Sequence, residues 1–413
     1  MCRKRNFPFW LLAFGLFLYS CKSSKPVVYS QPLPQPKTET KPEQPVKKDT
    51  IPVKSEIIKA TFSVIMPFEL RDNFAPVTDE TAEPSIAPNS LSALHFYEGC
   101  MMATDSLISA GKEIRIKAYD VPSDSVSLKR LLGNPEVKAS SAIFATLPNH
   151  LVSVAANFAE KNKLRLIVTS AASSEFLQGN PHVVLSSAST ITQCRLMVGK
   201  MVDLYPGANI ILVWRKLRRE DELAAVFRTE LVKLKGQSGF YDFNVQDKGS
   251  DVVINALSKT KRNLIFVISS DEALVNPLLN KIEEAQIAET VISGLPTWIN
   301  FESIDFMSFN NLRVHVFDNN FINYDDPQRQ EFRKQFIKRF HDDPAPAAYN
   351  GFDLTLRLGL GYTGKEADLT NLLERSFNQK DVSFRFESTP SGGRENKSIS
   401  VLRFTEYKLE KLR

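Results

Sequence analysis

The chain has 413 residues, of which 43% are apolar, 24% charged and 10% aromatic, the balance of a folded protein with room for two ordinary domains. That composition excludes collagen-like, wholly disordered and disulfide-scaffold proteins. The formal charge of +5 points to nucleic acid or an acidic surface as a partner, but its distribution removes nucleic acid: residues 1–21 carry +3, residues 22–56 carry +3, and the remaining 357 carry −1.

Arg3, Lys4 and Arg5 open the chain and a 13-residue apolar run, 7–19, follows. A spanning helix needs about 20 residues, so the run is too short to cross a bilayer and has the length of a secretory signal's central region. It ends in Leu18-Tyr19-Ser20-Cys21. This string resembles the lipobox of bacterial lipoproteins, with an aliphatic residue three before the cysteine, a small residue before it and the thiol as lipid acceptor. The resemblance implies cleavage before a lipidated Cys21, and acyl chains there anchor the protein, since each buried methylene is worth about 0.8 kcal/mol. In such lipoproteins an Asp after the cysteine marks inner-membrane retention. Lys22-Ser23-Ser24-Lys25 stands here instead, which implies the periplasmic side of an outer membrane.

Residues 22–56 hold seven of the 23 prolines among Lys, Gln, Thr and Glu. Such a composition buries too little surface to fold and favours extended polyproline geometry, a tether reaching roughly 100 Å at about 3.1 Å per residue.

Beyond it, β-branched runs alternate with segments of helical period. Strands are predicted at 60–66, 114–118, 141–145, 164–169, 209–214, 263–269, 290–293 and 312–317. Helices are predicted at 91–108, 151–159, 190–204, 220–235, 272–288 and 346–358. This alternation means βαβ units and parallel sheets covered on both faces. The strands are too many for one compact sheet, so an α/β protein of two doubly wound lobes is expected, with ligands at the carboxyl ends of the strands. Cys100 and Cys194 fall on amphipathic helices of different lobes, so two buried free thiols are expected and not a disulfide.

Several catalytic patterns occur without their context. Gly359-Leu-Gly361-Tyr-Thr-Gly364 matches a dinucleotide fingerprint but closes a helix where the motif must open one. Ser258-Lys-Thr-Lys261 matches a Ser-x-x-Lys pair but lies in a basic turn. His95, His150, His182, His315 and His341 are scattered without ligand spacing, and Asp318-Asn319-Asn320 and Asp325-Asp326 lack the glycine and terminal glutamate of a calcium loop. No catalytic residue, metal or cofactor is therefore expected.

The order of elements over 57–413 resembles the type I periplasmic binding fold of the leucine/isoleucine/valine-binding proteins. Ser63-Val-Ile-Met-Pro-Phe68 is similar to the family's opening strand and proline loop. Ala142-Ile-Phe-Ala-Thr-Leu-Pro148 and Leu166-Ile-Val-Thr-Ser-Ala-Ala-Ser-Ser174 resemble strands that end in ligand-contacting loops, and Gly179-Asn-Pro-His-Val-Val184 resembles the turn before the first crossover. Pro344-Ala-Pro-Ala-Ala-Tyr-Asn-Gly-Phe-Asp353 resembles a helix start near the third crossover. Phe384 to Glu387, the turn at Gly392-Gly393 and the strand 398–404 resemble the closing hairpin.

The resemblance implies two lobes joined by three crossovers, lobe 1 at about 57–184 and 300–365 and lobe 2 at about 185–299 and 366–413. It implies ligand contacts from Asn149, Ala172, Ser173 and Ser174 in the first lobe, and from Trp214, Arg215, Asp271 and Trp298 in the second. Where amino-acid binders carry an aromatic and acidic loop, this chain has Trp214-Arg-Lys-Leu-Arg-Arg219, whose cations suit a carboxylate or phosphate. The expectation is a membrane-anchored periplasmic lipoprotein that binds a small amino-acid-like or anionic solute between the lobes, with a permease as partner. The alternative is a scaffold or regulatory lipoprotein that binds peptidoglycan or a cell-wall enzyme, a role in which lipoproteins of this fold also occur.

Overall fold

In the computed structural model, residues 58–73, 86–122, 124–170, 173–287, 289–363, 384–390, 392–405 and 408–412 are described. The signal segment, Cys21 and the tether lie outside them, as does Ala172. Among the described residues no helix is long and apolar enough to cross a membrane.

The first lobe is built on strands β1 (Ile58–Met66), β2 (Lys112–Asp120), β3 (Ala142–Ala145), β4 (Arg165–Val168) and β5 (Val183–Leu185). Its helices are the short α1 (Leu70–Asn73), then α2 (Pro88–Ser109), α3 (Ser125–Leu132), α4 (Pro135–Lys138) and α5 (Asn149–Asn162). The second lobe follows with α6 (Thr190–Leu204), β6 (Asn209–Trp214), α7 (Arg218–Lys235), β7 (Tyr241–Asn244), α8 (Val245–Lys248), α9 (Asp251–Asn255) and β8 (Asn263–Ile268). It continues through α10 (Glu272–Glu284), β9 (Thr290–Ser293), α11 (Phe306–Asn311) and β10 (His315–Asp318). Then come α12 (Pro327–Phe340), α13 (Pro346–Gly361), β11 (Phe386–Ser388), β12 (Arg394–Asn396), β13 (Ser400–Thr405) and β14 (Lys408–Lys411).

Two seven-stranded sheets result, in the orders β11-β12-β5-β4-β3-β1-β2 and β14-β13-β10-β9-β8-β6-β7. Pairing is parallel except at β11–β12, β10–β13 and β13–β14. The expected two doubly wound lobes are present. Along β1 the side chains alternate as a strand covered on both faces requires. Phe62, Val64 and Met66 pack with Phe96 and Cys100 of α2 and Leu354 of α13, while Ile65 packs with Leu128 of α3 and Leu151 of α5. Helices α2 and α13 approach so closely that a Cβ on Gly99 would stand 2.0 Å from the Ala348 carbonyl oxygen, and one on Gly351 would stand 2.1 Å from that of Phe96. Cys100 on α2 and Cys194 on α6 are free and buried, and burial pushes both thiols up to about 12.

The lobe boundaries differ from the expectation. His315–Asp318, placed in the first lobe at 300–365, pairs with β9 and β13 of the second sheet. Phe386–Ser388 and Arg394–Asn396, placed in the second lobe at 366–413, complete the first sheet, because Arg394 and Glu395 pair in parallel with Val184 and Leu185. The passages between lobes therefore run just after β5, β10 and β12. The expected closing hairpin is divided accordingly, with β11 and β12 in one lobe and β13 in the other.

These passages are tied to one another. Asn396 donates its side-chain amide to the Ser186 carbonyl at 2.9 Å, and Asn319 donates to the Ala188 carbonyl at 3.3 Å. The Glu395 carboxylate, 1% exposed, accepts the Ser189 N–H at 2.6 Å and the Thr192 hydroxyl at 2.8 Å, and pairs with Lys397 Nζ at 2.8 Å. Ser189 is the N-cap of α6, so a strand of the first lobe anchors the leading helix of the second.

Candidate functional site

The carboxyl ends of β1, β3, β4 and β5 open on a chamber of about 290 Å3. Its position follows from the winding, since helices on both faces of a parallel sheet leave their crevice at the strand ends. The walls come from α2, which contributes Ser92 and Phe96, from Thr146 and Thr169 directly after β3 and β4, and from Asn350 on α13. Ser186, Ser187 and Asn320 bring in the first two passages between lobes. The two threonine hydroxyls share a hydrogen bond of 2.7 Å, and Asn350 donates to the Asn320 side chain at 3.4 Å. Among the described residues no charged side chain lines the chamber, and none of these lining residues belongs to a strand of the second sheet. Hydroxyls, amides and apolar surface in one small concavity suit a ligand that is fixed by hydrogen bonds and carries no net charge where it sits.

Apart from Ala172, which lies outside the described residues, the residues expected from the sequence lie elsewhere. Asn149 is the first residue of α5 and is exposed. Ser173 caps the 3-10 turn Ser174–Leu177, accepting the Glu175 N–H at 3.3 Å, and Ser174 is half-buried as the first residue of that turn.

In the second lobe, three expected residues lie at the carboxyl ends of β6 and β8, Trp214 in one set of bonds and Arg215 with Asp271 in another. Trp214 donates from Nε1 to Asp242 at 2.7 Å, and the Arg228 guanidinium lies 5.2 Å from the center of its ring. Arg215 donates to Glu220 at 3.0 and 2.5 Å and to Asp271 at 2.8 Å. Glu220 is only 8% exposed and also accepts the Ser269 hydroxyl at 2.8 Å. Asp271 caps α10 through the Ala273 N–H at 3.0 Å, and the hydrogen bond from Arg215 holds its carboxyl below the usual aspartate range.

Arg215 thus faces two carboxylates already in place, and its own charge is neutralised inside the protein, while Lys216, Arg218 and Arg219 are exposed. Trp298 is a correction of a different kind. It is 0% exposed, stacked with Phe301 and Phe309 and bonded through Nε1 to the Ser269 carbonyl at 2.7 Å. A side chain sealed in the core by aromatic neighbours on both sides touches no ligand.

The chamber residues missed by sequence reasoning are Ser92, Thr146, Thr169, Ser186 and Asn350. Thr146 and Thr169 were within reach of the strand-end rule, since Thr146 directly follows the predicted strand 141–145 and Thr169 ends the predicted strand 164–169. Ser92, exposed on α2, and Asn350, half-buried on α13, sit where a polar residue ordinarily faces water, so nothing in their spacing marks them as chamber lining.

Two doubly wound sheets connected three times define the type I periplasmic binding fold, and solved structures carry the same arrangement. A protein of Rhodospirillum rubrum named for branched-chain amino acid ABC transport aligns over 86% of this chain and 100% of its own length, with a TM-score of 0.62 and 13% identity. The ABC transporter substrate-binding protein of Desulfitobacterium hafniense in complex with Leu gives 0.54 and 14% over 86% and 100%. The C-domain of LpoA from Haemophilus influenzae, a regulator of PBP1A, gives 0.57 and 10% over the same shares. No protein-family model and no curated protein matches the chain. At these identities the likeness is one of fold.

Proposed function

We propose that the chain is a lipid-anchored periplasmic binding protein that takes a small, uncharged polar solute in the chamber at the ends of β1, β3, β4 and β5. The observation that carries this reading is the chamber's lining, which among the described residues offers serine, threonine and asparagine donors and acceptors with no ionised group. An amino-acid zwitterion placed there would surrender hydration of two charges to partners that return only part of it, whereas a hydroxyl or amide is matched one for one. Cys21 supplies the anchor on the periplasmic side of the outer membrane, and 22–56 the reach.

The test is calorimetry on the compact unit Ser55–Arg413, with N-acetylglucosamine as an uncharged probe and leucine and glutamate as charged ones. Binding of the uncharged probe, lost in Ser186→Trp, is expected. Tight binding of leucine or glutamate with none of the uncharged probe would overturn the reading.

A second reading, a regulatory lipoprotein that engages peptidoglycan or a cell-wall enzyme, is favoured by the neutralised second-lobe network around Arg215 and by the likeness to the LpoA C-domain. In that case the full chain recovers a cell-wall synthase by crosslinking in the periplasm whether or not Ser186→Trp is present.

A further inference from the structure

The chamber continues past its own mouth. Pro67, Asn89 and Thr146 also line a larger groove of about 810 Å3, which runs outward past the carboxyl end of β2 to Pro148 at the start of α5. The chamber alone is at the lower bound of ordinary ligand sites, about 300–1,000 Å3, and the groove is near the upper one. Chemistry changes along the way, for the groove wall carries Glu69, Arg71 and Asp120.

Both carboxylates are engaged. Asp120 accepts the Glu69 N–H at 3.0 Å and the Leu70 N–H at 2.9 Å, and Glu69 accepts the Ser90 hydroxyl at 2.6 Å. Arg71 is exposed and makes no ion pair among the described residues. Its place is set by an uncommon backbone: Glu69 has φ +49, a left-handed value that Asp120 helps to hold by taking its N–H and that of the next residue. Helix α1 leaves the strand at that point and carries Arg71 onto the groove wall.

We infer that the ligand is elongated, with an uncharged head bearing hydroxyls and amides in the chamber and a carboxylate-bearing, peptide-like arm in the groove, where Arg71 takes the carboxylate. This rests on the reading of the chamber as a ligand site. A guanidinium presents a planar fork that matches a carboxylate with two hydrogen bonds, and at a half-open wall it keeps that capacity without a desolvation penalty on the free protein.

Three probes separate the parts on the full chain by calorimetry: N-acetylglucosamine as head alone, N-acetylmuramyl-L-alanyl-D-isoglutamine as head with arm, and N-acetyl-L-alanyl-D-isoglutamine as an arm on a small amide. The muramyl dipeptide is expected to bind at least tenfold more tightly than N-acetylglucosamine. Arg71→Gln is expected to remove that advantage while leaving N-acetylglucosamine unchanged, with Arg71→Lys falling between. The third probe decides the head: binding as tight as the muramyl dipeptide makes it a blocked peptide, and weaker binding makes it a sugar.

Equal affinity for the first two probes, or an advantage that survives Arg71→Gln, overturns the arm and leaves the chamber reading standing. Failure of all three to bind overturns both. Arg71 is exposed, so an unchanged melting temperature in both variants checks that the fold is intact.

Discussion

Replacing Glu395 is the sharpest test of how the lobes are joined. Its carboxylate is 1% exposed and serves Ser189, Thr192 and Lys397 at 2.6, 2.8 and 2.8 Å. Glu395→Ala leaves the N–H of Ser189, the N-cap of α6, and a buried hydroxyl without an acceptor and strips the ammonium of Lys397 of its partner. Breaking one side of a buried pair costs about 3–5 kcal/mol. The Lys397 side chain keeps 20% of its surface in water, which places the loss near the low end, about 3 kcal/mol. Glu395→Gln keeps one acceptor and should lose about half as much.

The deficit has a pH dependence. Burial pushes the Glu395 carboxyl up, but hydrogen bonds from Lys397, Ser189 and Thr192 together outweigh it and hold the group below its ordinary value of 4.5. As pH falls the unfolded chain takes the proton first, so the contribution is whole above about pH 4.5 and drains away as pH drops through the lowered folded value. Urea unfolding of wild type and both variants between pH 7 and pH 3, followed by circular dichroism, measures this. A loss under about 1 kcal/mol at pH 7, well below the range for a broken buried pair, would refute the reasoning. So would a deficit that stays constant down to pH 3.

Gly351→Ala puts a methyl 2.1 Å from the Phe96 carbonyl oxygen, so α13 must move off α2. Thermal unfolding should show a loss of about 1–3 kcal/mol, the range for overpacked cores, and N-acetylglucosamine binding should weaken because Ser92 and Asn350 line the chamber from those two helices. Arg215→Gln leaves the buried Glu220 carboxylate without its cation, for about 3 kcal/mol by urea unfolding, and leaves probe binding unchanged; weaker binding would return Arg215 to the site.

His315 is buried, accepts from the Tyr205 hydroxyl at 2.9 Å on Nε2 and donates from Nδ1 to the Arg313 carbonyl at 2.6 Å. Burial lowers its pKa to about 4. Nitrogen NMR should find the ring neutral to about that pH. Stability should fall as pH drops from the unfolded value near 6.5 toward 4, because the unfolded chain binds the proton first.

The lobes were legible because their strands are buried on both faces and read as unbroken apolar runs. The predicted strands at 209–214 and 263–269 sit within a residue of β6 and β8, whose side chains are almost all buried. Sheet membership was not legible. β12 is Arg394-Glu395-Asn396, polar in every position, and is buried only because pairing with β5 and the tie to α6 satisfy it. β5 has three residues, too few for a period to show. The site fared similarly. Thr146 and Thr169 announce themselves at strand ends, while Ser92 and Asn350 line the chamber from two helices whose contact is made possible by Gly99 and Gly351, 252 positions apart. Trp298 misled because an aromatic just beyond a strand end also serves as a plug for the core beneath it.

The first sheet receives its last two strands from residues 386–396, more than 180 positions after the rest of it is made. A chain that emerges N-terminus first therefore holds β5 as a bare edge for about half of its synthesis, and the glycine face of α2 uncovered until α13 emerges. Unpaired edges of that kind recruit other chains. For a protein folded as it leaves the ribosome this interval is a hazard. For one threaded unfolded across a membrane and released whole, every strand of both sheets is present when folding begins, and the late strands cost nothing in exposure. The interleaved connectivity is thus suited to a chain whose birthplace and folding place are different compartments.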